Sequence, residues 1–442
     1  MTLKQRQSII RKVAQHQIKF IQLWFTDVLG FLKGFALPVN ELDRALTDGM
    51  CFDGSSIEGF ARIEESDMVA VPDPSTFAVL PWQPNGQAVA RMFCDVFTPT
   101  GEPFAGDPRG VLKRNLLRAR TKGFEFCVGP ELEYFYFRSA QDAGLLDGAG
   151  YFDLAVLDTS QSVRHQTISA LERMGMVVEY SHHEVAASQH EIDLRYAPAL
   201  TMADNVMAAK MLIKEVAQRN NLHATFMPKP VAGMNGSGMH VHMSLFRRGR
   251  NAFFNGKDEA HLSPVARGFI AGLLRHAPEI TLVTNQWVNS YKRLTPGFEA
   301  PVYVCWAQMN RSALIRVPAY QPGKESSVRA EYRAPDPACN PYLAFSALLA
   351  AGLRGIEQRY KLPPASFDNI YRLSDDELKA AGIGVLPGDL SEATRLAERS
   401  ELLRETLGQP VFEFLIRNKN LERDEYRTQV TDYEVKRYLP ML

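Results

Sequence analysis

Cysteine is scarce in this chain: five in 442 residues, at Cys51, Cys94, Cys127, Cys305 and Cys339. The count is odd, the positions are scattered and no Cys-x-x-Cys occurs, so neither a disulfide framework nor a zinc–cysteine site is indicated. Net charge is lacking as well, since Lys+Arg and Asp+Glu each total 50. That balance does not suit a general nucleic-acid or membrane-surface binder. No apolar run is long enough to span a bilayer. The longest, residues 342–353, includes Ser346 and Gly352 and reads as a buried helix. The start, MTLKQRQSIIRK, has no apolar signal-peptide core, so a soluble cytoplasmic protein is expected. No GxxxxGK[ST] occurs, and no GxGxxG leads into a helix, so P-loop and Rossmann readings find no support. Internal repeats and low-complexity tracts are absent.

The chain is 45% hydrophobic and 23% charged, enough for a large core and at least two domains. Periodicity predicts a helix over residues 3–15, strands over 18–25 and 31–38, and a short helix to Leu46 capped by Asn40. A glycine-rich polar loop, GMCFDGSSIEG, follows at residues 49–59. The Pro- and Gly-dense segment TPTGEPFAGDP, residues 98–108, reads as a linker and sets a domain boundary near residue 104. Asp107 then Pro108 predicts an N-cap and first helical residue, with Gly123 as the stop. Further helices are expected over 160–174, 203–220, 263–277 and 341–360, with a largely helical tail from Ser391. The class is α+β.

The most informative stretch is FEFCVGPELEYFYF, residues 124–137. Its aromatic content predicts a buried strand, yet it carries Glu131 and Glu133. Side chains alternate along a strand, so these two carboxylates share a face, opposite Leu132 and Tyr134. Paired acids in an apolar strand repel each other and lose solvation, and a divalent cation would neutralise them. Three other stretches repeat the pattern. His240, His242 and Ser244 share one face; Arg329, Glu331 and Arg333 share another; Glu191, Asp193 and Arg195 share a third, with Glu184 before a short connection. Any one strand is equally readable as having one solvated face. Four together could converge.

Five carboxylates (Glu131, Glu133, Glu184, Glu191, Glu331) and one histidine suit Mg²⁺ or Mn²⁺ better than zinc. Arg293, Arg311, Arg316, Arg329 and Arg333 supply anion binding. Cations beside phosphate oxygens plus arginines on the moving group are what phosphoryl transfer needs.

At these residues the chain resembles the type I glutamine synthetases along nearly its whole length. The landmarks are FDGSSIEG (52–59), GPELEYF (129–135), HHEVAASQHEID (182–193), KPVAGMNGSGMHVHMSLF (229–246), NSYKRLTPGFEAP (289–301), NRSALIRVP (310–318) and RAEYRAPDPACNPYLAFSALLAAGL (329–353). The resemblance implies a β-grasp domain over residues 1–104 and a catalytic domain over 105–442 on a curved antiparallel sheet flanked by helices. It implies ATP as co-substrate, two or three Mg²⁺ or Mn²⁺ ions, L-glutamate and ammonium, and L-glutamine made through γ-glutamyl phosphate.

By resemblance, Glu131, His240 and Glu331 match one metal's ligands, and Glu133, Glu184 and Glu191 another's. Asn235, Gly236, Arg293, Glu299, Arg311 and Arg333 match glutamate-site positions. Glu179, Tyr196, His242, Ser244, Arg316 and Arg329 match nucleotide-site positions, with Tyr196 placed to stack on adenine; Arg311 is shared by both sets. Asp53 and Ser56 match residues sent into a neighbouring subunit's site, which implies rings, usually two stacked hexamers. Asp53, Glu299 and Arg311 are the expected catalytic residues, Asp53 attracting ammonium and taking its proton. On local sequence alone, Asp53 would merely cap a turn. Two departures stand out: PAYQPGKESSVRAEYR differs from the usual short segment, and Phe298 replaces a common tyrosine. Arg62 matches a position linked to glutamine feedback and reads equally well as a surface arginine. Tyr371 lies where some relatives are adenylylated, a control not expected here. Two other readings are a γ-glutamylamine ligase of the same family and a non-catalytic structural or regulatory relative, which would usually have lost metal ligands.

Overall fold

A computed structural model describes residues 3–57, 59, 67–82, 87–154, 156–308, 312–366, 370 and 373–442. Arg62, Arg311 and Tyr371 fall outside these residues. The amphipathic α1 (Leu3–Gln15) buries Ile9 and Val13. It precedes β1 (Ile18–Thr26), β2 (Leu32–Pro38), α2 (Leu42–Asp48), β3 (Met50–Asp53), β4 (Asp67–Pro72), β5 (Ala78–Val79) and β6 (Ala88–Phe97). The strand order is β2-β1-β6-β4-β3, with β5 also on β6. The β1–β6 pair is parallel and the others are antiparallel. Asn40 does not cap α2. It sits inside a 3₁₀ turn, Val39–Glu41, that runs straight into the helix, so Glu41 occupies the cap position without a side-chain bond.

The second half begins with α3 (Pro108–Thr121), where the Asp107 carboxylate accepts from the Arg109 N–H at 2.9 Å. There follow β7 (Glu125–Phe137), α4 (Gln161–Arg173), β8 (Val178–His183), β9 (Gln189–Leu194), β10 (Ala197–Pro198) and α5 (Ala199–Arg219). Next come β11 (His223–Thr225), β12 (Val241–Arg247), β13 (Arg250–Asn251), α6 (Pro264–Thr284), α7 (Val288–Arg293), β14 (Tyr303–Val304), β15 (Trp306–Gln308), β16 (Ile315–Val317) and β17 (Ala330–Tyr332). The rest is α8 (Pro341–Glu357), α9 (Asp375–Ala380), β18 (Gly384–Val385), α10 (Leu390–Glu398), α11 (Glu401–Leu407), α12 (Gln409–Arg427) and α13 (Asp432–Tyr438).

One sheet organises this half, in the order β15-β16-β17-β12-β7-β9-β8. It is antiparallel except for β15 beside β16, which makes it mixed rather than wholly antiparallel. Helices cover one face. There Leu132, Tyr134, Val241, Met243, Ala330 and Tyr332 are buried in one core with α5, α6 and α8. The helix α6 continues past Pro278 to Thr284, beyond the stop expected at Ala277. Its packing against α8 overrides the one backbone bond that the proline removes. The two helices touch backbone to backbone: a Cβ on Gly272 would stand 2.2 Å from the Ala351 carbonyl oxygen. Among the described residues, no helix is long and apolar enough to cross a membrane.

The two halves are clamped together by buried polar contacts. Arg109 reaches Asp73 at 2.8 Å, Asp95 at 2.6 Å and Asp204 at 2.9 Å. Asn340 donates to the carbonyl oxygens of Asp27 and Val28 at 3.0 and 3.1 Å.

Candidate active site

The face of the sheet that the helices leave open is written by its register. Tyr180 on β8 lies opposite Asp193 on β9, which lies opposite Glu131 on β7. One step along, His182, Glu191 and Glu133 form the next row. On the other flank Arg316, Glu331 and His242 align across β16, β17 and β12. Alternation sends these polar side chains to one side and the apolar neighbours to the core. The shared-face expectation holds for Glu131 with Glu133, for His240, His242 and Ser244, for Arg329, Glu331 and Arg333, and for Glu191 with Asp193, all of which line the two cavities; Arg195 lines neither and pairs with Glu179 at 3.7 Å instead.

Glu131 sits at the centre. One carboxylate oxygen meets His240 Nδ1 at 2.8 Å and the other meets His242 Nε2 at 2.7 Å. Glu331 is held by Arg316 and by Arg333 Nε at 3.1 Å. Glu133 accepts from the Gly238 N–H at 2.8 Å and from Gln189 Nε2 at 3.0 Å. Burial opposes ionisation of Glu131, but His242 and His240 outweigh it and hold its carboxyl well below the usual range. Glu331 is lowered in the same way, burial again being overcome, chiefly by His242. Burial, reinforced by the charge of Glu184, pushes Glu133 up to about 8. Burial and Asp193 push Glu191 well above the usual carboxylate value. Burial and Glu131 push Asp193 up to about 7. The site concentrates more negative charge than its own imidazoles and guanidiniums balance.

Two cavities open on this face. The first, about 500 Å³, is lined by Glu133, Glu184, Glu191, His240 and Glu331 with Asn235, Gly236, Arg293, Glu299, Arg316 and Arg333. The second, about 440 Å³, is lined by Glu179, Tyr196, His242, Ser244 and Arg329. Glu131 and Tyr180 border both, the only described residues to do so. The described members of the expected glutamate set that lie in the catalytic half thus gather in one cavity and those of the nucleotide set in the other, while Arg311, expected in both, lies outside the described residues. Arg316 is the exception, lining the first cavity beside Glu331 rather than the second. A one-residue irregularity in the β8 pairing turns both Glu179 and Tyr180 toward the second cavity.

Local geometry explains several residue types. A Cβ on Gly236 would stand 2.1 Å from the Pro228 carbonyl oxygen, so only glycine lets the chain turn into the cavity there. Arg293 is buried and donates to the Ala334 carbonyl oxygen at 2.6 Å, which locks its guanidinium at the cavity wall. Asn235 Nδ2 donates to Glu299 at 3.2 Å, and Glu299 itself holds a positive φ of 57°. Phe298 lies under the Lys229 ammonium, 3.6 Å from the ring centroid. Asp53 and Ser56 are exposed and line neither cavity of their own chain; the Asp53 carboxylate accepts from the Ser55 N–H at 2.8 Å.

Donor atoms of Glu131, His242 and Glu331 lie within 4.8 Å of one another, as do those of His182, Glu184 and Glu191 and those of Glu131, Glu191 and Asp193. Carboxylate oxygens dominate all three groups, a set that fits hard divalent cations. Sequence reasoning missed His182 and Tyr180 as site residues, and Asp193 as a potential ligand. The signal was present: stepping back by two from Glu184 gives His182 and then Tyr180.

The residues on the far side of β8 and β9 were also missed. His183 and His190 flank Glu184 and Glu191 and point into a buried polar hub with Asp147, Asp158 and Arg164. Arg164 reaches Asp158 at 2.7 Å and His190 Nδ1 at 2.9 Å, while His183 Nε2 meets Asp147 at 3.2 Å. Arg164 supplies the charge that Asp158 needs, and against the opposing effect of burial the hydrogen bond to Asp147 raises the His183 imidazole above its ordinary value.

Residues 105–438 match the catalytic domain of glutamine synthetase and residues 17–99 its beta-grasp domain. The chain belongs to the glutamine synthetase family. Glutamine synthetase of Mycolicibacterium smegmatis is 52% identical over 444 residues, covering 99% of this chain and 100% of the relative. That of the archaeon Methanosarcina mazei is 48% identical, covering 99% and 98%. Among solved structures, a GmaS/ADP complex superposes with a TM-score of 0.89 at 32% identity, covering 97% of this chain and 99% of the other. The family fold accounts for the two-part architecture, and the ring of carboxylates, imidazoles and arginines lies within the matched catalytic domain.

Proposed function

We propose that the chain is a glutamate–ammonia ligase, joining ammonia to the γ-carboxylate of L-glutamate with ATP and giving L-glutamine, ADP and phosphate. The observation that carries the reading is the pair of cavities meeting at Glu131 and Tyr180. Arg293, Arg333 and Asn235 suit an amino-acid substrate bearing two carboxylates, and Tyr196 offers an exposed ring for adenine. Glutamate and the terminal phosphate of ATP would then face each other across the junction. The γ-carboxylate attacks the γ-phosphorus, ADP leaves, and γ-glutamyl phosphate remains. Ammonia attacks the acyl carbon and phosphate departs. Arg333 and Arg316 stabilise charge on the moving group, and Glu299 closes the amino-acid cavity against water.

Glu131, His240 and Glu331 would hold one Mg²⁺ or Mn²⁺, with His242 within reach of the same carboxylate. Glu133, Glu184 and Glu191 would hold another on the family pattern; the donor atoms that lie together there are those of Glu184, Glu191 and His182. Bound there, such cations shield the phosphate oxygens from the attacking carboxylate. Arg311 belongs to the glutamate and nucleotide contacts on the family pattern.

Asp53 and Ser56 serve a neighbouring subunit's site, so the active assembly is a ring, a dodecamer of two hexamers. Asp53 there attracts ammonium and takes its proton before attack. The test is phosphate release with glutamate and ATP across a panel of amines, with products identified by mass spectrometry. Ammonium is expected as the preferred acceptor. Preference for putrescine, spermidine or ethanolamine would replace this reading by a γ-glutamylamine ligase.

A further inference from the structure

The junction between the two cavities has a feature that the metal, glutamate and nucleotide contacts leave unused. Tyr180 projects from the edge strand β8, in the row Tyr180–Asp193–Glu131. Adjacent strands lie about 4.8 Å apart, so Tyr180 and Glu131 stand roughly 10 Å from each other with Asp193 between them. The two cavities meet along this row, since Glu131 and Tyr180 alone among the residues described line both, and the Asp193 carboxylate lies between them. The Tyr180 ring packs against His182 at 5.9 Å with a 20° interplanar angle, and its hydroxyl interacts with Asp193. The ring is thus braced from two sides. Glu131 forms the opposite jamb and is fixed by His240 and His242.

We propose that Tyr180 is a positioning residue: its ring is the wall of the passage through which the phosphoryl group crosses, and it keeps water from the acyl phosphate. This rests on the ligase reading given above. Without the ring, the passage widens on the side away from Glu131. Water would then compete with ammonia at the acyl carbon of γ-glutamyl phosphate. The carbon–oxygen bond to phosphate breaks, the water oxygen enters the carboxylate, and its protons pass to phosphate and solvent. Glutamate is regenerated, and the net change is ATP hydrolysis without glutamine. The nucleotide's own contacts at Tyr196, Ser244 and Arg329 lie elsewhere and stay intact.

The experiment compares wild type, Tyr180→Ala, Tyr180→Leu and Tyr180→Phe, with phosphate and glutamine measured in the same reaction and ADP affinity measured by calorimetry. Wild type and Tyr180→Phe are expected to release phosphate and glutamine in equal amounts. The Ala and Leu variants are expected to release at least about twice as much phosphate as glutamine, with a lower kcat for glutamine and ADP affinity unchanged within about threefold. If Tyr180→Ala does not assemble, Tyr180→Leu against Tyr180→Phe decides the matter by the same ratio. Equal release in the Leu or Ala variant overturns the proposal, and so does uncoupling in Tyr180→Phe, which would assign the role to the hydroxyl. Wild type that consumes ATP without making glutamine would instead defeat the ligase reading, whatever Tyr180 does.

Discussion

Replacing Arg164 by methionine is expected to loosen the catalytic hairpin without touching the catalytic face. Arg164 lies on α4, its side chain only 3% exposed, and its guanidinium pairs with an Asp158 carboxylate that is fully buried, 2.7 Å away. Two unit charges about 4 Å apart at an effective dielectric near 20 attract by about 4 kcal/mol. Removing one partner strands the other, and such losses run at about 3–5 kcal/mol. His190 Nδ1 and Ser181 Oγ lose their Arg164 contacts at 2.9 and 3.3 Å as well. Because His183 and His190 flank Glu184 and Glu191, the damage falls on β8 and β9. Hydrogen exchange read by mass spectrometry over those strands is the assay. A local loss of about 3–5 kcal/mol accelerates exchange by roughly two to four orders of magnitude. The divalent-cation concentration for half-maximal activity should rise about tenfold or more, the usual cost of losing outer support for ligands. The double variant Arg164→Met/Asp158→Leu removes the stranded charge and should recover most of the protection. Exchange within about threefold of wild type, or a double variant no better than the single, would refute the reasoning.

Three further outcomes are expected. Glu131→Ala should abolish glutamine formation while melting temperature and assembly stay near wild type; near-normal turnover would remove Glu131 from the metal site. Mixing an inactive Asp53→Ala chain with an inactive Glu331→Ala chain and reassembling them should restore some activity, whereas an active, stable monomer would contradict shared sites. The third concerns pH. Glu133 is raised to about 8, and Glu191 too is raised, in each case by burial first and neighbouring carboxylates second. A raised carboxyl contributes stability below its ordinary value, near 4.5, and that contribution is lost as pH climbs toward 8. A bound cation must displace those protons, so the stabilisation of the fold by Mn²⁺ should grow from about pH 5 to 8 and level off above. Paired thermal melts in Mn²⁺ and in EDTA check it, and a difference that shrinks with rising pH would contradict it.

Much of this architecture was legible because the informative strands obey a period of two. FEFCVGPELEYFYF and NGSGMHVHMSLF declare one apolar and one polar face, and the register then fixes which polar groups meet. Helix starts were equally plain where a cap exists, as at Asp107, and misread where a 3₁₀ turn runs into the helix, as at Asn40. The end of α6 was misread because packing against α8, close enough to need Gly272, outweighs a local proline signal. In the site, residues with an obvious charge were found first. Tyr180, His182 and Asp193 gain their role only from the β8–β9 pairing, and no local feature of VVEYSHHEVAASQHEID says that its ends fold back on each other. The buried hub of Arg164, Asp158 and Asp147 joins segments far apart in sequence, so nothing short of the tertiary structure assembles it.

The central claim is that glutamate in one cavity is phosphorylated from ATP in the other, across the Glu131–Tyr180 junction. L-glutamate labelled with ¹⁸O in both γ-carboxylate oxygens tests it most directly, with the released phosphate analysed by mass spectrometry. A γ-glutamyl phosphate requires that each phosphate formed with glutamine carry a single ¹⁸O atom from the carboxylate. Glutamine formed alongside unlabelled phosphate would contradict transfer across that junction.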